Sequence, residues 1–285
     1  MTQARDTMND AAAPRTALPV RKVAAVRYVT PLREGGSLPG LCEADDDGLY
    51  VVKLRGAGQG PPVLVAELVC AELARAAGLP VPEVVQIDLD AALGRNEPDP
   101  EIHQLLMASV GLNLGLDYLP GAITYDPAAE LLASPGGVRA PDATLASRIV
   151  LFDAFVMNPD RTARNTNLLR WHQRLWLIDH GAALYFQYSW QPDAPTAGAR
   201  AAFPRIQTHV LLTRASRIAE ASAHFQAAWT PALVGAICDQ IPEPWLSSPH
   251  FQLPSREQYA TWLTTRIDAL PHIAEEVARV RANLV

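Results

Sequence analysis

The stretch Phe152–Gly181, with the sequence FDAFVMNPDRTARNTNLLRWHQRLWLIDHG, is the most informative part of the chain. It places a short polar loop, Asn158–Asn165, between a segment with helical apolar spacing and a pair of short apolar strands. Asp179 follows the second strand and is itself followed by His180 and Gly181. Carboxylates and an amide gathered at the ends of buried elements are the groups that a divalent metal and its phosphates require. The stretch therefore predicts a site for phosphoryl-transfer chemistry.

Composition excludes several other classes of protein. The 285 residues are 49% hydrophobic and 19% charged, which is typical of a soluble globular protein with one large domain or two lobes. A formal net charge of −6 argues against a general nucleic-acid binder. We find no apolar run of the roughly 20 residues that a membrane span needs, and no apolar core of a signal peptide near the start. The scattered cysteines indicate reduced thiols, so we expect a cytoplasmic protein; they are Cys42, Cys70 and Cys238.

The first half of the chain is rich in predicted strands. Residues 1–20 are expected to form a disordered tail, and a strand over Val23–Val29 precedes a glycine-rich loop that contains Gly35, Gly36 and Ser37. This loop is either a plain hairpin turn or a backbone cover for an anion, because glycine lets N–H groups approach closely. The strand Leu49–Leu54 contains a lysine, Lys53, that faces either solvent or a cleft.

A helix over Val63–Ala77 is predicted from its apolar spacing, its initial prolines and the glycine that follows it. Two of its glutamates, Glu67 and Glu72, flank the apolar stripe, and either could face Lys53. After further strands, the segment Asp117–Gly121 ends in Pro-Gly and is the expected boundary between two lobes.

The second half is predicted to be almost entirely helical, and one of its helices is expected over Thr208–Thr213. Asp142 is a suitable N-cap for a helix over Ala143–Met157, directly before the polar loop. The chain is therefore expected to have an α+β, bilobal fold: a strand-rich N-lobe with one main helix over residues 21–119, and a mostly helical C-lobe over residues 120–285. The long segment 186–204 is the expected place for substrate contacts.

The order of these features is more informative than any one of them. Asp160 and Asn165 have the spacing D-x-x-x-x-N, a helix precedes them, a hairpin follows, and Asp179 ends that hairpin. Upstream stand a glycine-rich loop, a strand lysine and a helix glutamate, in the order found in protein kinases and their relatives.

The sequence resembles the HipA-like kinases, a branch related to phosphatidylinositol kinases within the protein-kinase-like fold. Residues 158–165, NPDRTARN, resemble the N-x-D-R-x-x-x-N loop of that family, although Thr162 stands where its members usually have histidine. Residues 178–181, IDHG, resemble its metal-binding strand exit. Residues 67–74 resemble its E-x-x-x-x-x-L-A helix, which favours Glu67 over Glu72 as the partner of Lys53.

The resemblance implies a phosphotransferase that uses ATP and Mg²⁺ and transfers the γ-phosphate to a hydroxyl, expected to be serine or threonine of a protein. Asp160 would be the catalytic base, and Arg164 would stabilise the γ-phosphate. Asn165 and Asp179 would hold the metal. Residues that would bind the nucleotide come from the glycine-rich loop, the strand, the helix and the connection between lobes: Gly35, Gly36, Ser37, Lys53, Glu67, Asp117, Tyr118 and Leu119.

Two alternatives stay open at this point. A small-molecule phosphotransferase of aminoglycoside-kinase type shares the fold and the D-x-x-x-x-N spacing, and its acidic substrate cleft is compatible with the net negative charge. A nucleotide-binding pseudokinase would have lost the base or the metal aspartate, and Asp160 and Asp179 are both present. The acceptor itself is not identified by the sequence.

Overall fold

A computed structural model of the protein describes residues 17–32, 38–95, 97–131, 140–248 and 250–284. Two sequence predictions fall outside these ranges: most of the N-terminal tail, residues 1–16, and the glycine-rich-loop residues Gly35, Gly36 and Ser37. Residues 17–20, which the sequence assigns to the same tail, are described. There the backbone N–H of Val20 donates to Gln240 Oε1 at 2.5 Å, so the described chain begins against the C-terminal half.

The strands of the first half close into a five-stranded barrel in the order β1-β2-β3-β5-β4. Closure removes the free sheet edges that an open sheet would expose. Strands β1 and β4 pair in parallel, and the other four pairs of neighbouring strands are antiparallel. The helix α2 contributes Ile102 and Leu106 to the apolar cluster of the barrel. The bounds are β1 Arg21–Pro31, β2 Gly40–Ala44, β3 Leu49–Lys53, β4 Val84–Leu89, β5 Gly111–Asp117 and α2 Pro100–Ala108.

The helix α1, Pro61–Ala76, follows the barrel strand that carries Lys53. Its first residues are Pro61 and Pro62, and Gly78 beyond its end has φ of 73°, the left-handed conformation that ends many helices. Residues on every side of this helix are buried, including both of its glutamates. A helix that is buried on all sides fixes the positions of its side chains firmly.

The second half consists of helices around a small sheet. The sheet order is β6-β7-β8, and β7 and β8 form the hairpin that follows the catalytic-looking loop. The side chain of Asp142 accepts from Leu145 N at 2.8 Å and so caps α4 as predicted. The bounds are β6 Ile123–Thr124, α3 Pro127–Leu131, α4 Ala143–Val156, β7 Leu168–Trp171, β8 Arg174–Leu177, α5 Ile218–Ala228, α6 Pro231–Cys238, α7 Arg256–Asp268 and α8 Leu270–Ala282.

One apolar core joins the two halves across the predicted boundary at residues 119 and 120. It contains most of α1 together with α4 and residues of α5 to α8. Indole N–H groups of the second half donate to backbone carbonyls of the first: Trp229 Nε1 to Leu73 O at 3.0 Å, and Trp245 Nε1 to Leu112 O at 3.1 Å. The helix α1 therefore belongs to the packing of both halves.

The segment after β8 differs from its predicted structure. The helix expected over residues 208–213 is replaced by two 3₁₀ turns, Pro204–Thr208 and Leu212–Arg214, because His209 between them is extended and bridges to Thr162. The segment 186–204 packs on α7, where the rings of Phe186 and Trp262 stack with centroids 3.9 Å apart. None of its residues lines the cleft described below.

Candidate active site

A cleft of about 1190 Å³ lies between the barrel and the polar loop that follows α4. Barrel strands, the connection after β5 and the hairpin β7–β8 all contribute to its walls. Seven of the predicted site residues line it, although they come from four separate segments of the sequence: Lys53, Asp117, Tyr118, Leu119, Asp160, Asn165 and Asp179. The fold thus brings into one cavity most of the residues that were selected from the sequence.

Lys53 is the last residue of β3 and reaches the cleft from the barrel. Its ammonium lies 2.6 Å from Asp179 Oδ1 and 3.1 Å from Glu67 Oε1. The other candidate partner, Glu72, pairs instead with Arg75 at 3.0 Å, one turn further along α1. Because Lys53 and Glu67 are both buried, the position of the ammonium is fixed by the packing of α1.

The protonation states of Lys53, Glu67 and Asp179 depend on the charges that these three residues place beside one another. Burial lowers the pKa of Lys53, but the two carboxylates more than offset that effect and raise it above its ordinary value. Burial raises the pKa of Asp179, and the charge of Lys53 outweighs burial and lowers it. The pKa of Glu67 is raised by burial, against the opposing charge of Lys53. The cleft therefore presents a charged lysine beside an ionised Asp179.

Asp160 is held by amide side chains of its own loop. Its Oδ2 accepts from Asn165 Nδ2 at 3.0 Å, and its backbone carbonyl accepts from Asn167 Nδ2 at 2.9 Å. Its backbone N–H donates to Asn158 Oδ1 at 3.1 Å. The carboxylate is thus oriented at the cleft surface, where a hydroxyl group could approach it. Asn158 and Asn167 were not selected from the sequence as site residues, and the D-x-x-x-x-N spacing gave no sign of Asn167.

The two predicted metal ligands have the donor chemistry that Mg²⁺ prefers. Asn165 uses its Nδ2 toward Asp160, so its Oδ1 is the atom available for a cation. The side chain of Asp179 is 40% exposed to the cleft. Mg²⁺ commonly takes only one or two protein ligands together with phosphates and water, and these two oxygen donors fit that pattern.

Asp179 has φ of 56°, in the left-handed region that aspartate adopts more readily than most residues. The turn after it requires glycine at residue 181, since a Cβ there would lie 2.7 Å from Val63 Cγ1 and 3.4 Å from Glu67 Oε1. The backbone N–H of His180 donates to Glu67 Oε2 at 2.9 Å. Close packing of the Asp-His-Gly turn on α1 thus brings Asp179 to Lys53.

The connection after β5 lines the opposite side of the cleft. The N–H of Asp117 donates to Glu83 O at 2.8 Å and that of Tyr118 donates to Leu49 O at 2.9 Å, so the barrel uses both groups. Leu119 O accepts from Ala122 N at 3.1 Å. Of the three N–H groups in this connection, that of Leu119 is the one with no hydrogen-bond partner among the described residues, so it is available to a ligand.

Arg164 stands apart from the other predicted residues. It is exposed and does not line the cleft, and it forms no hydrogen bond or ion pair within the described residues. Its role as a γ-phosphate ligand stays a prediction of the sequence. The same holds for Gly35, Gly36 and Ser37, which lie outside the described residues.

A buried polar cluster beneath the loop was missed from the sequence. We call it the Asp153 cluster, and it consists of Asp153, Asn158, Arg161 and His209. The carboxylate of Asp153 accepts from Arg161 Nε at 2.5 Å, Asn158 Nδ2 at 3.0 Å and His209 Nε2 at 2.9 Å. Burial alone would raise the pKa of Asp153, but Arg161 and His209 hold it well below its ordinary value.

Arg161 extends this cluster toward Asp179. Its guanidinium donates to the backbone carbonyl of Asn167, and Nη1 lies 3.4 Å from Ile178 O, directly before Asp179. Its Nη2 also lies 3.2 Å from Nε2 of His180. Arginine can only donate, so this ring nitrogen accepts. Burial and the charge of Arg161 lower the pKa of His180 to about 3, and the imidazole is neutral.

The cleft combines a buried lysine–glutamate pair, a loop with D-x-x-x-x-N spacing and an aspartate at a strand exit. On a fold made of a barrel and helices, this combination defines a phosphotransferase of the kinase class. A sequence profile of the family described as HipA-like kinase matches residues 25–270. The chain therefore belongs to the HipA-like kinase family and is a kinase, which confirms the resemblance seen in the sequence. No curated protein matches the chain.

Two solved kinases are similar in structure to this chain. The Helicobacter pylori proinflammatory kinase CtkA has 16% sequence identity and a TM-score of 0.53, with 90% of this chain and 95% of that chain covered. A Golgi casein kinase, also solved with Mn/ADP bound, has 12% identity and a TM-score of 0.48, covering 91% of this chain and 74% of that one. The likeness to CtkA confirms a kinase-like α+β fold. No helix within the described ranges is long and apolar enough to cross a membrane.

Proposed function

We propose that this kinase uses ATP and Mg²⁺ to phosphorylate a serine or threonine hydroxyl of a protein. The observation that carries the proposal is the arrangement of charges in the cleft. The same cavity is lined by Lys53, which is paired with Glu67 and Asp179, and by the hydrogen-bonded residues Asp160 and Asn165. A cation for phosphates, oxygen donors for a metal and a carboxylate for a hydroxyl are the parts that phosphoryl transfer needs.

In this proposal Asp160 orients the acceptor hydroxyl and takes its proton. The hydrogen bond from Asn165 Nδ2 holds one carboxylate oxygen, at 3.0 Å, and leaves the other for the acceptor. Asn158 and Asn167 fix the backbone of Asp160 on both sides and so restrict where the carboxylate can lie. General-base assistance of this kind contributes about 10²- to 10⁴-fold to a rate.

Asn165 Oδ1 and the carboxylate of Asp179 would hold Mg²⁺. When bound, the ion neutralises the charge that develops on the phosphate oxygens. Lys53 would contact the α- and β-phosphates, and Glu67 would keep its ammonium in place. The backbone of Gly35, Gly36 and Ser37 would cover the phosphates, and Arg164 would meet the γ-phosphate.

The adenine would lie against Asp117, Tyr118 and Leu119. The N–H of Leu119 is the group in this connection that the barrel leaves available. We also retain the lobe boundary after residue 119 and a cytoplasmic setting as proposals. The three cysteines, Cys42, Cys70 and Cys238, support that setting because each is buried and unpaired.

An acidic lining favours a positively charged acceptor. Five carboxylate residues line the cleft, against Lys53 as the one cationic residue within its described lining: Glu97, Asp99, Asp117, Asp160 and Asp179. A basic peptide fits this lining, and so does an amino-containing small molecule of the aminoglycoside type. The small-molecule phosphotransferase is therefore the second candidate.

ADP formation in the presence of Mg²⁺ tests the proposal. It is measured first with the enzyme alone and then with basic peptides and with aminoglycosides. Mass spectrometry of the products would identify the phosphorylated group. ATP binding without any turnover, including autophosphorylation, would contradict an active enzyme and favour a pseudokinase for the acceptors tried.

The metal assignment has its own test in Asp179→Ala. We expect this change to weaken binding of ATP in the presence of Mg²⁺ because one of two protein ligands is lost. Titration calorimetry with and without Mg²⁺ would measure it. An unchanged effect of Mg²⁺ on affinity would contradict the role of Asp179.

A further inference from the structure

Two segments far apart in sequence meet behind the candidate base. His209 lies between two 3₁₀ turns of the second half and forms a backbone bridge with Thr162 of the loop. The N–H of Val210 donates to Arg161 O at 3.0 Å, so the pairing extends to the residue next to Asp160, the candidate base. The loop that carries Asp160 is therefore paired with a segment that does not line the cleft.

The imidazole of His209 also forms two hydrogen bonds in which the donor and the acceptor can be identified. Its Nδ1 accepts from Leu211 N at 3.0 Å, so the proton of a neutral ring is on Nε2. That Nε2–H donates to Asp153 Oδ2 at 2.9 Å. The ring is buried, which lowers its pKa and favours this neutral form. The structure thus fixes the tautomer as well as the position of the ring.

Asp153, which His209 holds in place, is linked by hydrogen bonds both to Asp160 and to the strand exit before Asp179. Through Asn158, whose Nδ2 donates at 3.0 Å, it reaches the backbone N–H of Asp160. Through Arg161 it reaches the carbonyls of Asn167 and Ile178, next to Asp179. No member of the Asp153 cluster lines the cleft.

We propose that His209 is a positioning residue for phosphoryl transfer, acting through Asp153 to set the geometry of Asp160 and of the strand exit before Asp179. The proposal rests on the proposed function, since it assigns to His209 the support of that site. A misplacement of about 1 Å at a reacting group can cost about 100-fold in rate, so a residue behind the site can control the transfer step.

The test compares His209→Met with His209→Gln. Methionine fills the space without a donor, whereas the glutamine amide can donate to Asp153 as Nε2–H does. His224→Met is the matched control, because it also removes a bond from a histidine Nε2, in this case to Ala77 O at the end of α1. Each variant is measured for thermal unfolding, for kcat and KM with ATP, and for hydrogen exchange of residues 158–167 without nucleotide.

We expect His209→Met to lower kcat by about 10- to 100-fold with KM for ATP changed less than about threefold. Exchange of residues 158–167 should become faster in the same variant. His209→Gln should restore both properties to within a few-fold, and His224→Met should alter neither. A loss of activity that merely follows the fall in unfolding temperature, equal in both methionine variants, would overturn the proposal. Equal behaviour of the methionine and glutamine variants at residue 209 would also overturn it.

The exchange measurement separates this proposal from the proposed function. If the wild-type protein transfers no phosphate to any acceptor, the function fails, while exchange in the nucleotide-free protein still reports whether His209 orders the loop. If transfer occurs and exchange is unaffected by His209→Met, the positioning proposal fails and the function stands.

Discussion

Asp160 is surrounded by neutral amides, whereas the other carboxylate at the centre of the cleft, Asp179, contacts a lysine at 2.6 Å. This difference fits the separate roles that we propose for Asp160 and Asp179. A carboxylate paired with a cation is poorly suited to accept a proton, because the cation stabilises its ionised form. The carboxylate of Asp160 instead accepts a hydrogen bond from a neutral amide, that of Asn165, which fits its proposed role as the base.

Asp160→Asn tests this division. The amide keeps the size of the side chain but cannot take a proton, so we expect kcat to fall by about 10²- to 10⁴-fold. ATP affinity and the unfolding temperature should change little, because Asp160 is partly exposed. Asp193→Asn, in an exposed part of the segment that packs on α7, is the control and should retain activity. Turnover of Asp160→Asn at the wild-type rate would exclude Asp160 as the base.

His209 also predicts a dependence of stability on pH. Its folded pKa lies below the ordinary value of about 6.5 because the ring is buried, although Asp153 opposes this and Arg161 adds to it. As the pH falls below about 6.5 the unfolded chain binds a proton at this residue and the folded chain does not. Its stabilising contribution is therefore complete above that pH and decreases below it, by at most about 1.4 kcal/mol per pH unit.

Urea unfolding between pH 7.5 and 5.5 would measure this effect. Over this range the free energy of unfolding should fall less steeply in His209→Gln than in the wild-type protein, since glutamine does not titrate. Parallel curves for the two proteins would show that His209 is not buried in its neutral form.

The residues of the polar loop and of the strand exit could be read from the sequence because their spacing is short and regular. Asp160 and Asn165 stand in one loop, and Asp179 ends the adjacent hairpin. His209 could not be found in this way, because 56 residues separate it from Asp153 and each is ordinary in its local context. Arg161 was visible only as part of the motif, and its buried partners follow from packing.

Among the elements, the turn after β8 and the first turns of α1 depend most closely on each other. Gly181 lies against Val63, and the N–H of His180 is bound by Glu67. Any movement of this turn away from α1 would change the distance between Asp179 and Lys53. The turn after β8 and the start of α1 thus fit each other closely, and neither can shift without changing the contacts of the other.

Gly181→Ala should therefore destabilise the protein by about 1–3 kcal/mol, since its Cβ would meet Val63 Cγ1 at 2.7 Å. ATP binding should weaken as well, through displacement of Asp179. Gly235→Ala in α6 is a matched control, because nothing lies within 4 Å of its added Cβ. There alanine should stabilise the helix by about 0.5–1 kcal/mol. Denaturant unfolding of both variants gives the comparison, and equal signs would contradict it.

Element bounds were predictable where a local signal marked them. Asp142 before α4, and the prolines and glycine around α1, gave bounds within two residues of those observed. The region after Pro204 had no such signal. Its 3₁₀ turns and the extended His209 are determined by pairing with Thr162, which no local pattern of residues reveals.

On the scale of the whole molecule, Arg266 of α7 links three separate regions. Its guanidinium is buried and donates to the carbonyls of Ala154 and Phe155 at the end of α4, and to those of Ala199 and Ala201. Burial lowers its pKa to about 10, and within the described chain no carboxylate pairs with it. A cation at the C-terminal end of a helix is favoured by the helix dipole. Arg266 thus fixes the end of α4 directly before the loop that carries Asp160.

Arg266→Met should cost about 3 kcal/mol or more, because buried carbonyl groups would lose their donor. Arg279→Met on α8 is the control, since Arg279 is exposed and solvent weakens its ion pair with Glu276, so the loss of that pair should change stability little. Chemical unfolding measures both changes, and limited proteolysis would show whether residues 190–204 become accessible in Arg266→Met. A stability loss no greater than that of Arg279→Met would contradict the role of Arg266.

The indole bonds of Trp229 and Trp245 across the predicted lobe boundary have a consequence for the history of the chain. Each donates from the second half to a carbonyl of the first, within one shared core. A recombination event that joined the barrel of one relative to the helices of another would bring together surfaces that had not evolved as partners. We therefore expect the halves of such kinases to be inherited together, with substitutions on α1 accompanied by compensating changes in the helices of the second half.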